Sequence, residues 1–238
     1  MRMGLARPLA VCLTAGLAIL AFAGTSRANI IVNGSFESGM SVPNAIPGYR
    51  TLSGPTDSSA FGGTMDMTGW TVMNNNIDWI HNNYWQASSG TYSLDLSGMT
   101  PGGVQQTVST VIGELYTLSF DVSVNPDLRH SATARRLDVY VRDSSLNEVY
   151  TNNVLIPRGT RTFQDMQWQT VTYQFVATDT MTTLQFVSSP SNIDAGGPAL
   201  DNVSLTGNGP VNPIPAPPAL ILAGIGGLGF LAARRRKA

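Results

Sequence analysis

Cysteine, lysine and histidine are nearly missing from this sequence. Of 238 residues one is cysteine, Cys12, one is lysine, Lys237, and the histidines are His81 and His130. Cys12 falls in an N-terminal apolar run, so the body of the chain has no disulfide, no thiol nucleophile and no cysteine-based zinc site. Two isolated histidines make no metal-spaced set and read as solvated loop side chains. There is no Gly-x-Ser-x-Gly elbow and no phosphate loop. A glycosidase needs two carboxyls across a cleft, but among 15 acidic residues some chance pair is unavoidable. The chain is therefore read as a non-enzyme.

Both ends read as addresses. Arg2 and Arg7 precede an apolar stretch, residues 9–22, which is shorter than the roughly 20 residues of a spanning helix. Ser26-Arg27-Ala28 then offers a small-x-small cleavage site before Asn29, with Ala21-Phe22-Ala23 as the competing one, so residues 1–28 are expected to be a signal peptide. At the other end, Asn212-Pro213-Ile214-Pro215-Ala216 leads into the apolar run 219–233 and then Arg234-Arg235-Arg236-Lys237. An apolar run followed by a basic stop-transfer cluster predicts a transmembrane helix within 219–238, behind a Gly/Asn/Pro linker at 207–218.

Removing Arg2, Arg7, Arg27 and the four tail cations leaves seven basic residues against 15 acidic ones, a net of −8 for the exported part. Such a surface repels nucleic acid and anionic lipid.

Between residues 29 and 206 the apolar stretches are short, rich in β-branched and aromatic residues, and punctuated by Gly, Pro, Asn, Asp and Ser. That is strand-and-turn composition. Period-two alternation is clearest at 104–108, 116–122, 137–141 and 168–175, with further strands expected at 70–73, 77–80, 92–96, 183–187 and 199–205. Many short strands predict an all-β, two-sheet antiparallel jelly-roll sandwich. Residues 40–67 show no periodicity and are expected to form a long surface loop, and residues 125–136 a second one.

Five motifs occur in order: Asn33-Gly34-Ser35-Phe36-Glu37-Ser38-Gly39, Gly69-Trp70-Thr71-Val72, Ile77-Asp78-Trp79-Ile80, Ser93-Leu94-Asp95-Leu96-Ser97-Gly98 and Gly197-Pro198-Ala199-Leu200-Asp201-Asn202-Val203-Ser204-Leu205. Together they resemble the bacterial choice-of-anchor C family. That family is related to a plant cell-wall domain of unknown function, and both are similar to galactose-binding-like jelly rolls. The resemblance implies a structural calcium where the first and last strands meet, with Glu37 and Asp201 as ligand candidates. Turn-anchoring hydrogen bonds from those two carboxylates are the other reading. The tail resembles PEP-CTERM sorting signals, nearest the Val-Pro-Leu-Pro-Ala variant, departing by Asn212 for Val and Ile214 for Leu. It implies an exosortase-type partner acting on Pro213, Ile214, Pro215 and Ala216, and a Gram-negative envelope, outer surface or extracellular matrix as destination. A permanent helix anchor is the competing reading.

Flat aromatic faces with polar rims suit sugar rings. Tyr84, Trp85 and Trp79, beside Asp78, His81, Asn82 and Asn83, are thus the carbohydrate-site candidates. Trp70 and Trp79 sit inside strand patterns and fit a core better, whereas Tyr84 and Trp85 lie in an Asn-rich stretch expected to be exposed. The resulting expectation is a polysaccharide-associating module. A structural or adhesive protein that contacts other proteins is its rival.

Overall fold

The computed structural model describes residues 28–40, 42–58, 63–127, 129, 133–192 and 194–210. The expected signal peptide, the sorting motif, the C-terminal apolar run, its basic cluster and His130 lie outside them. Among the described residues no helix is long and apolar enough to cross a membrane.

The strands are β1 (Tyr49–Ser53), β2 (Thr71–Asn74), β3 (Asn76–His81), β4 (Tyr92–Asp95), β5 (Gly102–Ser109), β6 (Glu114–Val124), β7 (Ala134–Arg142), β8 (Glu148–Pro157), β9 (Gln169–Val176), β10 (Met181–Ser188) and β11 (Pro198–Pro210). They form a six-stranded sheet in the order β1-β3-β4-β11-β6-β9 and a five-stranded sheet in the order β2-β5-β10-β7-β8, with every pairing antiparallel. This is the expected sandwich. Alternation sends Leu118, Phe120 and Val122 of β6, Leu137, Val139 and Val141 of β7, and Leu184 and Phe186 of β10 into one shared core between the sheets.

Two strands depart from the sequence reading. The stretch expected as one long loop contains β1, which pairs with β3 from Tyr49↔Ile80 to Ser53↔Asn76. Strand β8 was not legible because its middle reads Tyr150-Thr151-Asn152-Asn153. It is a sheet edge on which only Ile156 is buried, so little apolar signal was needed. Two boundaries also move. β11 runs on to Pro210, pairing Gly207 with Tyr116 and Pro210 with Glu114, so the expected linker begins inside the sheet. β7 begins at Ala134, which takes Arg135 and Arg136 out of the expected loop. Arg135 is buried on Asp194, and Arg136 donates to Asp138 at 2.8 Å.

The motif residues meet in space. Trp70 Nε1 donates to the Asn33 carbonyl at 2.9 Å and Trp79 Nε1 to the Phe36 carbonyl at 3.0 Å. Both rings are buried, as the strand pattern required. The intervening Gly34 lies so close to β11 that a Cβ there would stand 2.0 Å from the Val203 carbonyl oxygen, and the Val203 amide donates to the Gly34 carbonyl at 2.8 Å. Only glycine permits that approach. Opposite, β11 bulges between Asp201 and Ser204, with Asn202 at φ 51.

Candidate functional site

The outer face of the six-stranded sheet carries the unusual chemistry. Counting outward from the core residues Trp79, Leu94, Leu200 and Phe120, alternation places Asp78, Asp95, Asp201 and Asp121 on the opposite face. Register makes two facing pairs of them, Asp78↔Asp95 across β3–β4 and Asp201↔Asp121 across β11–β6. Like charges directly opposite each other are unfavourable, so each pair requires donors or protons.

The Asp201–Asp121 pair is supplied with donors. Asp201 Oδ2 accepts the Ser88 and Ser89 amides at 2.8 and 2.9 Å, and its Oδ1 accepts the Asn202 amide at 2.7 Å. Asp121 accepts from the hydroxyls of Ser88 and Thr170 and from the Asn202 side chain. Burial pushes the Asp201 pKa up to about 7 against the pull of the three amides, with the Asp121 charge raising it further. Glu37 works alongside: its Oε1 accepts the Thr91 and Tyr92 amides at 2.9 and 3.0 Å. Glu37 and Asp201 thus grip the two ends of one segment, residues 88–92. Three of their four oxygens face amide hydrogens, and among the described residues no group of three or more His, Cys, Asp and Glu converges on a metal position. This donor set does not fit a calcium shell of six to eight oxygens, and it matches the turn-anchoring reading.

Residues 84–92, whose second half is held in this way, cover the sheet together with residues 158–168 through a second small core of Ile80, Trp85, Met166 and Ala199. Here one expectation fails. Trp85 is 1% exposed and donates from Nε1 to the Ser93 hydroxyl at 2.7 Å, so it packs the segment onto the sheet and offers no face to a sugar. The polar neighbours that made it look exposed belong to the turn on either side. Trp79 is likewise removed from the candidate list by burial. His81 ends β3, with its Nδ1 accepting the Asn83 amide and its ring edge-on to Tyr92 at 5.3 Å.

Tyr84 remains, half-buried, with ring centroids 5.2 Å from Tyr49 and 5.4 Å from Phe163. Gly48, at φ +91, makes room for it: a Cβ there would meet the Tyr84 Cβ at 2.8 Å. A cavity opens on each side. The larger, about 520 Å³, is lined by Tyr84 and Phe163 and by Asn82, Asn83, Gln86 and Gln164. Gln86 fixes its wall, since its amide donates to the Phe163 carbonyl, its carbonyl accepts Trp168 Nε1 and its side chain accepts the Met166 amide.

The smaller cavity, about 250 Å³, is lined by Tyr84, Tyr49, Asp78, Asp95, Asn125 and Arg129 among others. Asp95 is at its floor. Its Oδ1 accepts the Ser97 and Gly197 amides and its Oδ2 accepts Asn125 Nδ2. Burial first, and then the Asp78 charge, push its pKa up to about 8 against those donors. Asp78 takes the Thr51 hydroxyl on Oδ1 at 2.6 Å, and burial raises its pKa to about 6.

Of the expected sugar residues, the fold brings Tyr84 and Asp78 together with Asn82 and Asn83. Sequence reasoning missed Tyr49, Phe163, Gln164 and Asn125, which come from distant loops and the unrecognised strand β1. Asp95 was legible in principle, as the polar residue of a motif whose alternation turns it away from the core.

Comparison with known proteins adds three likenesses. The chain is 29% identical over 196 residues to halomucin of Haloquadratum walsbyi, covering 82% of this chain and 2% of that protein. It thus spans only a small piece of that relative. An arabinose-bound α-L-arabinofuranosidase superposes with a TM-score of 0.49 at 15% identity, over 79% of this chain and 29% of the other. A carbohydrate-binding module in complex with β-1,4-galactotriose superposes with a TM-score of 0.42 at 16% identity, over 75% of this chain and 98% of the module. Residues 29–206, which hold the motifs, the sandwich and both cavities, match the model of a protein family of unknown function, DUF642, and the chain belongs to that family.

Proposed function

We propose that this protein is a non-catalytic β-sandwich module that associates with polysaccharide through the surface around Tyr84. The observation that carries this reading is the larger cavity, where the half-buried Tyr84 and Phe163 stand beside Asn82, Asn83, Gln86 and Gln164. Aromatic faces receive the C–H surfaces of a sugar ring, and primary amides both donate to and accept from its hydroxyls. The wall is held by hydrogen bonds from the backbone and side chain of Gln86, so the site is formed before a ligand arrives.

Within DUF642 we place the chain in the bacterial choice-of-anchor C group. We take its ends as a signal peptide cut before Asn29 and a sorting tail handled by an exosortase-type enzyme, which would deliver the module to the envelope or the matrix outside it. A glycan array probed with the purified protein tests the reading. Retention of oligosaccharides is the expected result, and retention of none overturns it.

A second reading, adhesion to other proteins, draws on apolar side chains near β1: Met40, Ile46 and Met65 are 85%, 87% and 72% exposed. Cross-linking that captures protein partners, lost when these three become serine, would favour it over glycan binding.

A further inference from the structure

The smaller cavity differs in kind from its neighbour across Tyr84. At about 250 Å³ it is below the roughly 300–1,000 Å³ of sites for drug-sized ligands, so its scale is a single ring or a pendant group. Where the larger cavity is lined by neutral amides, this one presents acceptors and charge. One Asp78 oxygen takes the Thr51 hydroxyl, and the other has no protein donor among the described residues. Asp95 Oδ2, with Asn125 Nδ2 on it, has a lone pair to spare. Tyr49 and Tyr84, packed edge to face at a centroid separation of 5.2 Å, line the same cavity. The one cation in the lining, Arg129, is already forked onto Asp127, with Nε donating to Oδ2 at 2.8 Å and Nη2 to the same oxygen at 2.5 Å, while its amide donates to Oδ1.

Resting on the polysaccharide reading above, we infer that this cavity is a subsite for a sugar bearing a free, protonated amino group, so that the polymer held is one with unacetylated amino sugars. An ammonium has three donors and no acceptor, which answers the open Asp78 oxygen and the spare Asp95 lone pair, and tyrosine faces attract it further. It also relieves the facing carboxylates: a cation between Asp78 and Asp95 offsets the repulsion of two like charges held opposite each other. An acetylated amine brings no charge to the pair. A uronic acid brings a like charge to it, on a domain whose seven arginines face 15 acidic residues.

The test compares hexamers of β-1,4-linked glucosamine and of β-1,4-linked N-acetylglucosamine in titrations at neutral pH and about 0.15 M salt, where charges beyond roughly 8 Å are screened. The glucosamine hexamer is expected to bind about tenfold or more tightly, as a charge-assisted hydrogen bond implies. Asp78→Asn should abolish the preference. A methyl glucosaminide competing with the hexamer for the unaltered protein gives the same information without relying on the variant. Equal or tighter binding of the N-acetylated hexamer, or a preference that survives Asp78→Asn, overturns this inference and leaves the polysaccharide reading standing. Failure of every glycan to bind overturns both.

Discussion

Asp78 and Asp95 stand directly opposite each other on adjacent antiparallel strands, and burial together with the Asp78 charge raises the Asp95 carboxyl well above the ordinary carboxylate range. A short distance along the same sheet face, Asp201 and Asp121 repeat the arrangement, but there serine, threonine and asparagine donors surround the pair. The first pair opens on a cavity and the second is a fastener.

The raised carboxyls make stability depend on pH with a definite sign. Asp78, Asp201 and Asp95 titrate at about 6, 7 and 8 in the fold, above the ordinary carboxyl value of 3.8. The folded state therefore binds protons that the unfolded chain has lost, and their stabilisation fades as pH rises through these values. Melting followed by circular dichroism should show a Tm higher at pH 5 than at pH 8, by roughly 5 °C or more. A Tm that rises steadily from pH 5 to pH 8 would contradict the assignment.

Trp85 and Tyr84 are neighbours in sequence with opposite duties, and stability separates them. Trp85→Ala opens the small core beneath the covering segment and should cost about 3–5 kcal/mol in chemical denaturation. Tyr84→Ala, at a half-buried position, should cost less than half as much and keep a native circular dichroism spectrum. Equal costs would place Tyr84 in the core as well.

Glu37 and Asp201 are loop anchors in this account, so metal should not matter to them. Chelation with EDTA should leave Tm unchanged, while Glu37→Gln or Asp201→Asn should speed proteolytic nicking at residues 88–92. A fall in Tm on chelation, reversed by calcium, would restore the metal clip.

These contrasts mark what the sequence could disclose. Alternation revealed most strands and the burial of Trp70 and Trp79, because period two is imposed by backbone geometry and needs no partner to be read. It could not reveal β1 or β8, edge strands that bury little. Nor could it separate Tyr84 from Trp85, since which of two adjacent aromatics is buried depends on a tertiary acceptor, the Ser93 hydroxyl. The motifs proved to be mainly architectural: Gly34, Trp70, Trp79 and Asp201 fix the N-terminal segment and the covering segment to the sandwich. The two cavities are assembled from loops distant in the chain, so only Tyr84, Asp78 and their asparagine neighbours carried a visible hint.

Mass spectrometry of the mature protein from its source organism addresses the ends. The expected N-terminus is Asn29 and the expected C-terminus falls near Pro213 to Ala216. An intact Arg234 to Lys237 cluster would mean a permanent anchor instead of a sorted and processed tail.

Tyr84 is the centre of the proposed glycan surface. Side-by-side binding of the unaltered protein and Tyr84→Ala to an oligosaccharide panel tests this most directly. Retention by the former and a loss of about tenfold or more in affinity by the latter are expected. Unchanged binding after Tyr84→Ala, in a variant that keeps its fold, would contradict it.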